Sequence, residues 1–237
     1  MLSLVVILVR LPVILLALSV HECAHALIAY RFGDPTAKDM GRITLNPLPH
    51  LDPIGTIGLI IGFIGWGKPV PVDPRNFHDV RKGMLWVSAA GPISNILLAF
   101  TFGTIFRIIA PHFITEMNGS YYAHGLDVLN WKTYILFFTS LSILINLALA
   151  CFNMIPLFPL DGAKVVEGLL PYQKAIRFSA FQRYGPTILI MLIALEFTDF
   201  LPIISIIFNL ITGPLTYLAS GYGLNIHIGL LNQLVQF

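Results

Sequence analysis

Four stretches of this chain are long and apolar enough to cross a lipid bilayer, and no other feature restricts its fold as much. A spanning helix needs about 20 predominantly apolar residues. The first stretch runs from about Leu2 to Tyr30, interrupted by Arg10, His21, Glu22 and His25; the second from about Gly83 to Ala110; the third from about Trp131 to Asn153. The fourth, Pro186 to about Leu218, is broken by Glu196, Asp199 and Pro202, and its length leaves open a tight helical pair or one span beside a surface helix. Composition agrees. Only 11% of the 237 residues are charged and 56% are hydrophobic, where a soluble domain carries about 25% charged residues. An ordinary soluble globule and a disordered chain are both excluded. A net charge of +2 without a basic run excludes nucleic acid as a partner. Cys23 and Cys151, both inside apolar stretches, are no disulfide framework.

The expected fold class is therefore an all-α polytopic membrane protein, a bundle of about four to six transmembrane helices. It forms one domain over residues 1–237, with a core over 1–172 and a C-terminal helical region over 186–220. Of the fourteen Lys and Arg, seven lie between the first and second spans and four follow the third, while the loop from Pro111 to Asn130 has none. By the positive-inside rule both basic segments are cytoplasmic. A cleaved leader is disfavoured, because cleavage near Ser19 would leave His21 to His25 at a free terminus. The segment from Gly41 to Phe77 is too dense in proline and glycine for a helix, yet Thr56 to Trp66 is too apolar for a solvated loop. Irregular backbone at membrane depth must be covered by protein or line a watery cavity. A small membrane-associated β-hairpin or re-entrant segment is expected there, after the first helix.

Within the first stretch, His21-Glu22-Cys23-Ala24-His25 reads HExxH. Residues i and i+4 share one helical face, so both imidazoles can reach a single metal ion, with Glu22 beside that face as general base. Two imidazoles and a carboxylate inside a spanning segment are costly and mark function. A catalytic zinc takes three protein ligands and keeps a position open. Asp161, in Asn153-Met-Ile-Pro-Leu-Phe-Pro-Leu-Asp161-Gly162, is the preferred third ligand. Pro156 and Pro159 forbid a regular helix there, so the backbone can turn the carboxylate back into the bundle. Glu167 is the competing ligand, and a helix N-cap is the competing role for Asp161.

HExxH in one span, N-x-x-P-x-x-P-x-D-G after a later one, and Gly91-Pro92-Ile93-Ser94-Asn95 in the second span together resemble the site-2 protease family of intramembrane zinc metalloproteases. The resemblance covers about Leu15 to Leu170. It implies zinc ligation by His21, His25 and Asp161, one ion per chain, with Glu22 as base. It also implies that Asn95 and Asn153 line the active site, holding substrate backbone or the developing oxyanion; interhelical hydrogen bonding is the equal alternative for both. The loops leave no room for the PDZ or CBS domain some members carry, so a compact form is expected.

The other polar residues carry less. His50 and Asp52 fit a turn-stabilising pair better than support for a ligand imidazole. Cys23 points away from the metal, Lys164 and Glu167 form a surface pair one helical turn apart, and Arg10 and Arg107 snorkel toward an interface. The expected activity is hydrolysis of peptide bonds in or near transmembrane segments, with Ile54 to Val72 pairing as a strand with the unwound substrate. The expected partners are single-span membrane proteins, the lipid bilayer and an unidentified regulatory protein. The expected location is a bacterial or archaeal plasma membrane, with the active site toward the cytoplasm. Two alternatives stand: an HtpX-like membrane zinc endopeptidase, in which Glu167 would be the third ligand, and a non-catalytic zinc-binding protein.

Overall fold

The computed structural model describes residues 4–52, 55, 67–117, 120–126, 130–197 and 203–236. Four helical segments are long and apolar enough to cross a membrane: Ile7–Arg31, Val80–His112, Trp131–Asn153 and Tyr172–Glu196. The first three coincide with the stretches read from the sequence. They form helices α1 (Leu4–Arg31), α3 (Val80–Ile109) and α4 (Trp131–Asn153), with the short α2 (Thr36–Asp39) after the first. Side chains cap the starts of α3 and α4. Asp79 accepts from the Lys82 amide at the head of α3, and Asn130 from the Lys132 amide at the head of α4.

α3 is the hub and packs against both α1 and α4. Its buried face includes Gly83, Val87, Gly91, Asn95, Ala99 and Gly103, one residue per turn and mostly small. Without a hydrophobic driving force between helices in lipid, such a face allows the close backbone approach that van der Waals packing requires. The main core joins Val9 of α1, Phe106 of α3, Leu136, Phe137, Ile143 and Leu147 of α4, and two residues of a terminal helix, Leu230 and Leu234.

The fourth region resolves into two helices. Helices α5 (Asp161–Leu169) and α6 (Tyr172–Phe181) lead through a 3-10 turn at Gln182–Tyr184 into α7 (Gly185–Phe197), and α8 (Ile203–Ser220) follows. Two packed helices, α7 and α8, thus occupy the stretch that the sequence left open. By length and composition a candidate span also takes in α6, running from Tyr172 to Glu196.

Two elements had no sequence signal. A hairpin pairs β1 (Ile114–Met117) with β2 (Ser120–Ala123), inside the loop that carries no basic residue. A last helix, α9 (Leu224–Gln236), packs against α4. Its fully buried His227 bonds through Nδ1 to Ser140 Oγ at 2.8 Å and through Nε2 to Ser220 Oγ at 2.9 Å. The apolar part of the expected re-entrant segment, residues 56–66, lies outside the described residues. Its two ends meet in an antiparallel bridge between Leu51 and Gly67.

Candidate active site

The HExxH motif lies late in α1, with His21 and His25 both buried and their rings 4.6 Å apart at 82°. Asp161 is the first residue of α5, and the N-cap position is held by Leu160, so the carboxylate is not the cap. Its Oδ2 instead lies 3.3 Å from His21 Nε2 and 3.2 Å from His25 Nε2. These three are the only group of three His, Cys, Asp or Glu among the described residues whose ligand atoms converge within 4.8 Å.

Neighbouring groups fix the tautomers. His21 Nδ1 donates to Asn95 Oδ1 at 2.5 Å, and His25 Nδ1 donates to the Val87 carbonyl at 2.6 Å. A carbonyl oxygen can only accept, so both Nδ1 atoms carry a proton, and each ring in its neutral form has its Nε2 lone pair on the side of Asp161. Asn95 is itself fully buried, its amide nitrogen donating to Asn146 Oδ1 at 2.7 Å and the Ala17 carbonyl at 3.2 Å. The Ala17 contact fixes which end of the amide is oxygen. Asn146 of α4 donates on to the Ser142 carbonyl.

Two tests ask whether a metal ion fits. Ligands about 2.1 Å from a tetrahedral ion lie about 3.4 Å from one another, close to the 3.2 and 3.3 Å observed. The second is Gly91: a Cβ there would stand 2.5 Å from both Nε2 atoms. Glycine at that position leaves free the space the two lone pairs face. The donor set of two imidazoles and one carboxylate suits zinc. Two lone pairs and a carboxylate oxygen facing one another are relieved by a cation between them. Gly162 serves the same geometry from the other side, since a Cβ there would strike the backbone of Met154 and Ile155. That close approach lets the start of α5 turn back under the bundle.

The proline-rich segment before Asp161 is held by Gln182, which the sequence did not mark. Its Oε1 accepts from the Phe158 amide at 2.7 Å and its Nε2 donates to the Pro156 carbonyl at 3.1 Å. Asn153 is half-buried at the end of α4 and donates to the Leu149 carbonyl of its own helix. Glu167 accepts from Ser179 Oγ at 2.6 Å, so it joins neither the site nor Lys164, and the expected surface pair is not formed. His50 Nε2 donates to the Thr44 carbonyl and Asp52 Oδ1 accepts from the Gly55 amide, which is turn chemistry. Arg107 is exposed on α3 and donates to the Leu218 carbonyl near the end of α8. Cys23 stays outside the cluster.

Comparison with known proteins agrees with this site. The family described as Peptidase family M50 matches residues 10–195. The chain belongs to peptidase family M50. It is 39% identical over 179 residues to a candidate zinc metalloprotease of Bacillus subtilis, YwhC, covering 76% of this chain and 77% of that one. A candidate zinc metalloprotease of Mycolicibacterium smegmatis, Rip2, is 36% identical over 36% of this chain and 34% of its own length. The zinc metalloprotease MJ0392 of Methanocaldococcus jannaschii is 28% identical over 70% of this chain and 38% of its own. No solved structure matches the chain significantly. As an M50 member the chain is a zinc-dependent metalloprotease and an integral membrane protein.

Proposed function

We propose that this M50 protease is an intramembrane zinc endopeptidase that cuts single-span membrane proteins in or near their transmembrane segments. The observation that carries the reading is the depth of the site. His21 lies ten residues before the end of α1 at Arg31, about 15 Å along the axis, inside a bundle of membrane-spanning helices. His21, His25 and Asp161 would hold the ion. When bound, it supplies Lewis acidity that polarises a carbonyl and brings the pKa of water toward neutrality.

The chain's own residues do the rest. Glu22, half-buried on the ligand helix, takes a proton from the attacking water and returns it to the leaving amine. Asn95 and the Val87 carbonyl hold the two imidazoles in the ligating tautomer. Asn95 has its amide committed to His21, Ala17 and Asn146, which supports a positioning role over contact with substrate. Asn153, with one amide hydrogen bonded within its helix, keeps an oxygen to offer an unwound substrate backbone.

Arg81 of α3 donates to the Gly168 carbonyl after Lys164, so the two basic segments share one end of the bundle. That supports a cytoplasmic site in a bacterial or archaeal plasma membrane by the positive-inside rule. The test is to incubate the protein in lipid vesicles with a single-span substrate and map the products by mass spectrometry. A cut within the apolar segment, lost in Asp161→Ala together with zinc, is expected. Cuts confined to soluble loops would overturn the intramembrane reading.

A further inference from the structure

The wall of the site beside Glu22 is built from a segment outside the three motifs. Gly67 stands against the carboxylate: a Cβ there would lie 3.5 Å from Glu22 Oε1 and 3.3 Å from the His50 carbonyl. Gly67 bridges to Leu51, and the next amide, Lys68, donates to the His50 carbonyl at 2.8 Å. The Lys68 carbonyl is taken by a guanidinium, Arg42 Nη2, at 2.5 Å. Arg42 is 3% exposed, and its own backbone amide donates to the Ala37 carbonyl behind it.

A guanidinium buried this deeply is expensive unless its charge and all its N–H groups are used. Here Nε has no hydrogen-bond partner among the described residues, nor does Nδ1 of the fully buried His50, whose backbone carbonyl holds the Lys68 amide. A charge retained under those conditions needs a compensating partner. The Glu22 carboxylate, against the same Gly67–Lys68 backbone, offsets part of that cost: burial lowers the Arg42 pKa from its ordinary value, and the Glu22 charge works against that shift.

We infer that Arg42 is a positioning residue for the reaction, clamping the Gly67–Lys68 backbone so that it fixes the Glu22 carboxylate toward the two imidazoles. This rests on reading Glu22 as the general base. Arg42 touches neither metal ligand in this arrangement, so its loss leaves the ion in place and moves the base. Displacing a catalytic group by about 1 Å can cost on the order of 100-fold in rate.

The test compares wild type with Arg42→Ala, Arg42→Gln and Arg42→Lys as full chains in lipid vesicles. Bound zinc, kcat and KM on a single-span substrate, and hydrogen exchange at residues 67–72 are all measured. Arg42→Ala should keep stoichiometric zinc and wild-type KM, lose about 10- to 100-fold in kcat, and exchange its Lys68 amide at least about tenfold faster. Arg42→Lys, which keeps a charged donor for the Lys68 carbonyl, should recover most of both, and the uncharged Arg42→Gln less. Wild-type kcat with wild-type exchange in Arg42→Ala would overturn the inference, as would loss of zinc in step with activity. Should wild type bind zinc but cleave no substrate, the protease reading fails. The exchange arm then decides the clamp alone: unchanged exchange in Arg42→Ala refutes it, and faster exchange restored by lysine upholds it.

Discussion

A hydrogen bond behind a ligand sets how that ligand meets the metal, and at the scale of single residues Asn95 is where this shows. Its Oδ1 is the acceptor that keeps the His21 proton on Nδ1. Asn95→Ala removes that acceptor and leaves the ring free to turn. Zinc affinity is expected to fall about 10- to 100-fold, measured by competition with a chelator of known affinity; unchanged affinity would mean that His21 is oriented by packing alone. Gly91 tests the same space from the opposite helix. Alanine is the better helix former by about 1 kcal/mol, so Gly91→Ala should not weaken α3. Its methyl group nonetheless falls 2.5 Å from both Nε2 atoms. A folded protein that no longer retains zinc is the expected result, read by helical circular dichroism and metal analysis on one sample. The ligands themselves were legible in the sequence, because four-residue spacing on a helix needs no tertiary information. The Val87 carbonyl and the purpose of Gly91 were not, since both depend on the register of α3 against α1.

Elements are held to the site by polar corners rather than by apolar area. Asp34, just past α1, is fully buried and accepts from the Thr36 amide and hydroxyl, the Asp73 amide at 2.8 Å and Asn76 Nδ2 at 2.8 Å. It joins the end of the ligand helix to the turn that precedes α3. Burial by itself raises the Asp34 pKa, but the donors from Thr36, Asn76 and Asp73 outweigh it and the net shift is downward. A carboxylate with a depressed folded-state pKa contributes stability that is present above its unfolded value, about 3.9. That contribution is lost as pH falls through the folded value. Asp34→Asn should therefore lower Tm at neutral pH and flatten the decline in Tm below about pH 4. An identical acid profile in the variant would show that the corner carries no linkage. Gln182 plays the matching part for Asp161 by gripping the backbone on both sides of Leu157. A lone Gln in a polar stretch gives no sequence signal, because its role exists only once α7 has folded back onto residues 156–158.

For the whole molecule, hydropathy located three spans to within a few residues, because bilayer thickness imposes one length on each. After residue 170 its signal was weaker. There α6, with Lys174 and Arg177, runs through a 3-10 turn into α7 and makes one candidate span of both. The terminal α9 escaped for a different reason. It is 13 residues long, too short to read as a span, and its polar His227 reads as surface until Ser140 and Ser220 are seen to enclose it. The 114–123 hairpin was equally silent, with four-residue strands that fall below any periodicity. On the proposed reading the whole molecule holds a hydrolytic site at membrane depth, and Glu22 is the residue on which that account turns. The most direct measurement is cleavage of a single-span substrate in lipid vesicles by wild type and Glu22→Gln, with bound zinc quantified in both. The account predicts stoichiometric zinc in each and a rate about 10²- to 10⁴-fold lower in the variant; equal cleavage by Glu22→Gln, or wild type that binds no zinc, would contradict it.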